Sequence, residues 1–157
     1  MILAFTGHRL QKMGGFDIPN RTYNYVCAEI ERLLKELQPE KTISGMAIGV
    51  DQIGAEICIK RNIPFIAAVP FEGQELIWPI ETQKQYHKIL QKAAEIVIVS
   101  PGGYSARKMQ IRNEWMIDHA DAVLSVWNGL PGGTANATKY AQKQGKLIYS
   151  IDPGKAE

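Results

Sequence analysis

A three-layer α/β sandwich around a mostly parallel sheet is what these 157 residues are expected to build. Three features point there. Short β-rich runs alternate with amphipathic helical stretches from end to end, no linker or repeat interrupts them, and glycine-rich loops recur after the strands. Hydrophobic residues make up 45% and charged residues 22%, the balance of an ordinary globular domain rather than of a disordered or collagen-like chain. The length suits one domain, 1–157, with a core of its own.

Ile2 to Thr6 is the first expected strand. Pro19 to Leu37 follows, with apolar side chains at Tyr23, Val26, Ile30, Leu33, Leu34 and Leu37, the spacing of a helix that buries one face. Pro39 ends it. Lys41 to Ser44 reads as a strand, Val50 to Arg61 as a helix, and Ile63 to Val69 as a strand stopped by Pro70. Phe71 to Pro79 is a loop, Ile80 to Ala94 a helix, and Glu95 to Ser100 the clearest strand pattern in the chain. Ala106 to His119, Ala122 to Trp127, Thr134 to Gln144 and Lys146 to Ile151 complete the alternation as helix, strand, helix, strand. Right-handed crossovers make a doubly wound, Rossmann-like sheet the economical topology, and such sheets bind ligands beyond the carboxyl ends of their strands.

Composition narrows the function less. A formal charge of +2 does not imply a nucleic-acid partner, although a local basic groove is compatible with it. No apolar run approaches the roughly 18 residues of a membrane helix. The apolar N-terminus lacks a basic flank and breaks at Gly7-His8-Arg9, so it reads as a strand rather than a signal peptide. The two cysteines, Cys27 and Cys58, lie far apart in helix-like stretches, which suits reduced thiols in a cytoplasmic protein. No His and Cys cluster has metal-ligand spacing, so no metal is expected.

Four loops hold the chemistry. After the first strand, Gly7 permits a tight turn and His8 and Arg9 bring cationic donors, or else form a surface turn with incidental charge. After the second, Ser44-Gly45-Met46-Ala47-Ile48-Gly49-Val50-Asp51 leads into a helix whose N-terminal N–H groups suit a phosphate. Asp51, itself an anion, fits a ribose hydroxyl or base donor better, or caps the helix. After the fourth, Ser100 to Tyr104 forms a candidate lid before Arg107, Lys108, Arg112, Asn113 and Glu114. After the fifth, Pro131-Gly132-Gly133-Thr134 opens directly into a helix, with Thr134 as cap and hydroxyl donor; this is the strongest phosphate signal. Neither the P-loop pattern nor Gly-x-Gly-x-x-Gly occurs.

Taken together, these residues resemble the SLOG superfamily, the Rossmann-like group that contains DprA/Smf and LOG proteins. Ser44 to Asp51 resembles the SG-x-A-x-G-[IV]-D element of DprA, and Pro131 to Thr134 the PGG-x-GT loop of LOG. Thr6-Gly7-His8-Arg9, with Arg112-Asn113 before Asp118 and Asp121, is similar to the small YpsA-type bacterial and phage members. The resemblance covers nearly the whole chain. It implies a nucleotide-derived ligand such as ADP-ribose or NAD, bound for sensing or sequestration, with no further cofactor required.

LOG-like phosphoribohydrolase activity is the first alternative. Arg112 matches the arginine that the resemblance implies for it, but the expected glutamate falls at Ala137, or at Thr138 with a gap, which leaves Glu114 and Asp118 as substitute acids. Single-stranded DNA binding along Arg9, Arg107, Lys108 and Arg112 is the second alternative. The resemblance also implies a homo-oligomer, for which Trp78, Tyr86 and Trp115 are interface candidates if the monomer does not bury them.

Overall fold

The connections of the chain decide where its loops converge. The structure, a computed structural model, describes residues 1–156. Its strands are β1 (Ile2–Gly7), β2 (Lys41–Ser44), β3 (Phe65–Val69), β4 (Glu95–Ile98), β5 (Ala122–Val126) and β6 (Leu147–Ile151). Its α-helices are α1 (Arg21–Leu37), α2 (Val50–Lys60), α3 (Ile80–Leu90), α4 (Ala106–Asp118) and α5 (Gly133–Lys143). The sheet order is β4-β3-β2-β1-β5-β6, and each neighbouring pair is parallel. From β1 the chain steps outward through β2 and β3 to β4, then returns across β1 to add β5 and β6. The direction of winding therefore reverses between β1 and β5.

Helices cover both faces, as the strands' double-sided apolarity requires. On one face Leu3 and Phe5 of β1, Phe65 and Ala67 of β3 and Leu124 of β5 pack with Val26, Ile30 and Leu34 of α1, Ile53 and Ile57 of α2 and Tyr86 and Ile89 of α3. On the other, Ala4, Ile43 and Ala68 meet Met116 of α4 and the nearby Ala120, while Val123 meets Ile117, Ala137 and Ala141. Burying a side chain such as Phe5 contributes about 1.5–3 kcal/mol. The small residues Ala4 and Ala68 leave room for α4 to lie close to the sheet, within reach of the carboxyl ends of β2 and β3.

Local signals set the helix ends. Asn20 caps α1, its Oδ1 accepting from the Tyr23 N–H at 2.9 Å. Gln38 closes that helix in the left-handed region at φ 46°, just before Pro39. Ser105 caps α4 through the Lys108 N–H at 3.2 Å. The expected elements all form, with two notable trims. The third helix stops at Leu90 rather than Ala94, and the strand expected to run to Ser100 ends at Ile98. That strand, β4, is the sheet edge, where Ile96 and Ile98 are each 50% exposed. The expected loop at 71–79 contains a short 3-10 turn, Gln74–Ile77.

Candidate functional site

Where the winding reverses, the loops after β1 and β5 part toward opposite faces and leave a crevice at the carboxyl ends of the strands. A cavity of about 430 Å³ occupies this position. Thr6 and Gly7 form its edge at β1, and Gly133 and Thr134 form its edge at α5. Arg9, Gln11 and Lys12 line it from the turn after β1, Ala47 and Asp51 from the loop after β2, and Met109, Arg112 and Asn113 from α4. Two loops far apart in sequence thus face one another with cations on one side and a helix N-terminus on the other.

The α5 terminus is open toward the cavity. Gly132 is its N-cap, at φ 148°, and no side chain caps the first turn. Asn136 bonds back to the Gly132 carbonyl at 3.0 Å, which starts the helix and leaves the N–H groups before it without intrahelical partners. Thr134 does not cap the helix as the sequence suggested, because the helix begins one residue earlier, at Gly133. Its hydroxyl belongs to a residue lining the cavity, and its carbonyl accepts from Thr138 Oγ1 at 2.7 Å.

At the floor of the cavity, Arg112 and Asp51 both stand beside Gly45. Arg112 is 3% exposed, and its Nη1 donates to the Gly45 carbonyl at 2.6 Å and to the Ala68 carbonyl at 3.3 Å. Its Nε donates to Asn113 Oδ1 at 3.0 Å. Gly45 leaves room for both side chains: a Cβ there would stand 2.7 Å from Arg112 Nη1 and from Asp51 Oδ2, so they would have to shift. Burial pushes the Asp51 carboxyl above its ordinary value, against the opposing pull of Arg112, the Ala47 N–H and Arg9. Burial likewise works against the Arg112 charge, and Asp51 offsets it. Asp51 is not the helix cap. Gly49 holds that place, while Asp51 Oδ2 reaches back to the Ala47 N–H at 3.4 Å.

The other residues of the glycine-rich loop build the frame. Ser44 Oγ donates to the Asp51 carbonyl at 2.7 Å and accepts from the Met46 N–H at 3.2 Å. Met46 is wholly buried, and its carbonyl takes the Gln52 Nε2 at 3.0 Å. His8 is a structural residue rather than a cationic donor. It is 4% exposed, and its Nε2 accepts from the Asn128 N–H at 2.9 Å. That bond requires a neutral ring, and burial together with nearby Lys12 lowers the pKa from 6.5. The His8 carbonyl accepts the first N–H of α2, from Val50, at 3.2 Å.

Of the residues expected to bind, Gly7, Arg9, Asp51, Arg112, Asn113, Gly133 and Thr134 line the cavity. His8, Ser44, Gly45, Met46, Gly49 and Gly132 stand behind it as framework. Glu114 and Asp118 are outside it: Glu114 accepts from Gln110 Nε2 at 3.1 Å, and Asp118 from the Tyr140 hydroxyl at 2.7 Å. Lys108 spends its ammonium on the carbonyls of Pro101 and Gly103, each at 2.6 Å, and so pins the loop expected to act as a lid. Tyr86 is 2% exposed and packs edge-on to Trp78, so the monomer buries it. Gln11 and Lys12 escaped the sequence reading, because the single 3-10 turn that carries them (Leu10–Lys12) is too short to have a periodicity. Among the described residues no group of three or more His, Cys, Asp or Glu is placed to hold a metal ion, and no helix is long and apolar enough to cross a membrane.

Comparison with known proteins places this geometry in a family. A family model described as the YspA SLOG family matches residues 3–155. The SPbeta prophage-derived protein YoqJ of Bacillus subtilis is 36% identical over 146 residues, covering 82% of this chain and 85% of the relative. A UPF0398 protein of Halalkalibacterium halodurans is 25% identical over 154 residues, covering 91% and 81%. Among solved structures, DNA processing protein A (DprA) of Streptococcus pneumoniae superposes with a TM-score of 0.69 at 18% identity, over 96% of this chain. DprA of Helicobacter pylori, whose structure is described for its single-stranded DNA binding mode, gives 0.68 at 21% identity over 97%. This chain spans 50% and 65% of those two DprA chains, and at such identities the likeness is one of fold.

Proposed function

The chain belongs to the YspA SLOG family, and on that premise we propose that it binds a phosphate-bearing, nucleotide-derived ligand in the cavity between β1 and β5. ADP-ribose, NAD and related signalling nucleotides are the class assigned, held for sensing or sequestration. The observation that supports this best is the uncapped first turn of α5 at Gly133 and Thr134, lining the same cavity as Arg9 and Lys12. Backbone N–H groups at a helix N-terminus and two cations favour an anion together. In this reading the phosphate sits at Gly133 and Thr134, and Asp51 accepts from a ribose hydroxyl. Thermal-shift titration with ADP-ribose, NAD, cyclic ADP-ribose isomers and AMP tests it. Saturating ligand stabilises the fold, by about 2.7 kcal/mol at a hundredfold excess over Kd. No shift with any of the four overturns the reading.

Asp51 favours a second reading, N-glycoside hydrolysis of a nucleoside monophosphate. It is the carboxylate lining the cavity, and its raised pKa is the kind of perturbation found at catalytic acids. Release of free base from AMP supports this reading, and inertness at high protein concentration removes it. Single-stranded DNA is less well supported. Arg9 and Lys12 line a bounded cavity, and Lys108 is engaged by backbone carbonyls, so the basic strip is interrupted. DNA binding driven by phosphate contacts weakens steeply with salt.

A further inference from the structure

A second cavity, of about 640 Å³, adjoins the first, and Arg9, Ala47 and Met109 line both. Each volume is within the range of small-molecule sites, about 300–1,000 Å³. The chemistry of the two walls differs. The first presents Arg9, Lys12 and the α5 terminus, whereas the second is formed by Phe71, Trp78, Tyr104 and the apolar Leu76 and Ile77. Phe71 and Tyr104 meet edge to face at 5.9 Å and 81°. Phe71 is 6% exposed, but Tyr104 is 70% exposed, so its ring keeps open area toward the cavity mouth.

Gln74 adds a polar selector to this apolar wall. It is 4% exposed, and its Nε2 lies 3.4 Å from the Gly45 carbonyl and 3.5 Å from the Tyr86 hydroxyl. Because a carbonyl only accepts, that contact fixes the amide orientation and makes the other atom the oxygen. Gln74 Oε1 is the one buried side-chain nitrogen or oxygen without a partner among the described residues. An unpaired buried acceptor is costly, and Gln74 lines this cavity, so a ligand donor that reached Oε1 would relieve the cost.

We infer that this second cavity is the base subsite, and that it takes a flat, amino-bearing heteroaromatic ring of the adenine kind, stacked at Tyr104 and donating to Gln74. The inference rests on the nucleotide reading above and extends it. Phosphate and base then occupy the two cavities, with Arg9 at the boundary. Glu72 on the second wall disfavours an anion there, which keeps the orientation from reversing.

Calorimetric titration with AMP, IMP and ribose 5-phosphate separates the two claims. IMP replaces the exocyclic amine with a carbonyl, and ribose 5-phosphate lacks the base. AMP should bind at least tenfold more tightly than either. Tyr104→Ala, at an exposed position, should weaken AMP about tenfold and leave ribose 5-phosphate unchanged. Equal affinity for all three ligands with no effect of Tyr104→Ala overturns the base subsite and leaves the phosphate site standing. Equal affinity for AMP and IMP overturns the role of Gln74. Failure of all three to bind while ADP-ribose or NAD still stabilises the fold overturns the subsite alone; failure of every one of these ligands overturns the reading beneath it as well.

Discussion

His8 Nε2 accepts a hydrogen bond from the Asn128 N–H at 2.9 Å, joining the loop after β1 to the loop after β5 across 120 residues of chain. These are the two loops whose divergence opens the crevice, so the bond fixes its width at the base. The bond exists only while Nε2 is unprotonated. With the folded pKa depressed below 6.5, the contribution of His8 to stability is complete above pH 6.5 and is lost as the pH falls through the lower, folded value. Chemical denaturation between about pH 7 and pH 5 should show stability falling, by at most about 1.4 kcal/mol per pH unit from this one group. His8→Ala should be less stable at neutral pH and show a shallower decline. An unchanged slope in the variant contradicts the assignment.

Arg112 holds the floor of the site rather than its mouth. Replacing it with Met removes the guanidinium donor from the Gly45 and Ala68 carbonyls and takes from Asp51 the more effective of the two positive charges that lower its pKa. A loss of about 1–3 kcal/mol is expected, because the Ala68 carbonyl loses a charged donor and the Gly45 carbonyl keeps only the longer contact from Gln74 Nε2, measured by urea denaturation. Arg112→Met with wild-type stability would move Arg112 from framework to ligand contact.

Gly49 is constrained twice. Its φ is 112°, and a Cβ there would come within 2.5 Å of the His8 carbonyl oxygen. Neither the backbone angle nor the backbone neighbour can give way cheaply. Gly49→Ala should cost about 1–3 kcal/mol from strain and lower the melting temperature accordingly.

The sequence made the architecture readable because strict alternation of strand and helix admits few parallel topologies. The parallel Rossmann-like architecture, the run of helices along the chain and SLOG membership followed from that pattern and from the loop residues, whereas the strand order came from the fold itself. What it obscured was which loop residues point inward. Ser44, Gly45 and Gly49 match a family motif, yet Ser44 ties the turn to the Asp51 carbonyl, Gly45 makes space beside Arg112 and Asp51, and Gly49 makes space for the backbone at His8 and Arg9. His8 sits beside Arg9 in sequence, but one is buried between loops while the other is exposed at the cavity. Neighbours in a turn point in different directions, and no periodicity records this. The base cavity was hidden for a different reason: Phe71, Gln74 and Tyr104 come from two loops that meet only in the fold.

Anion binding against Arg9 and Lys12 is put to the test by calorimetric titration of ADP-ribose into the wild-type chain and into the Arg9→Ala/Lys12→Ala double variant. Both side chains are exposed, so the fold should be retained. Saturable binding by the wild type, weakened at least tenfold when both cations are removed, is the expected result. Binding of equal strength in the two proteins, or none in either, would contradict it.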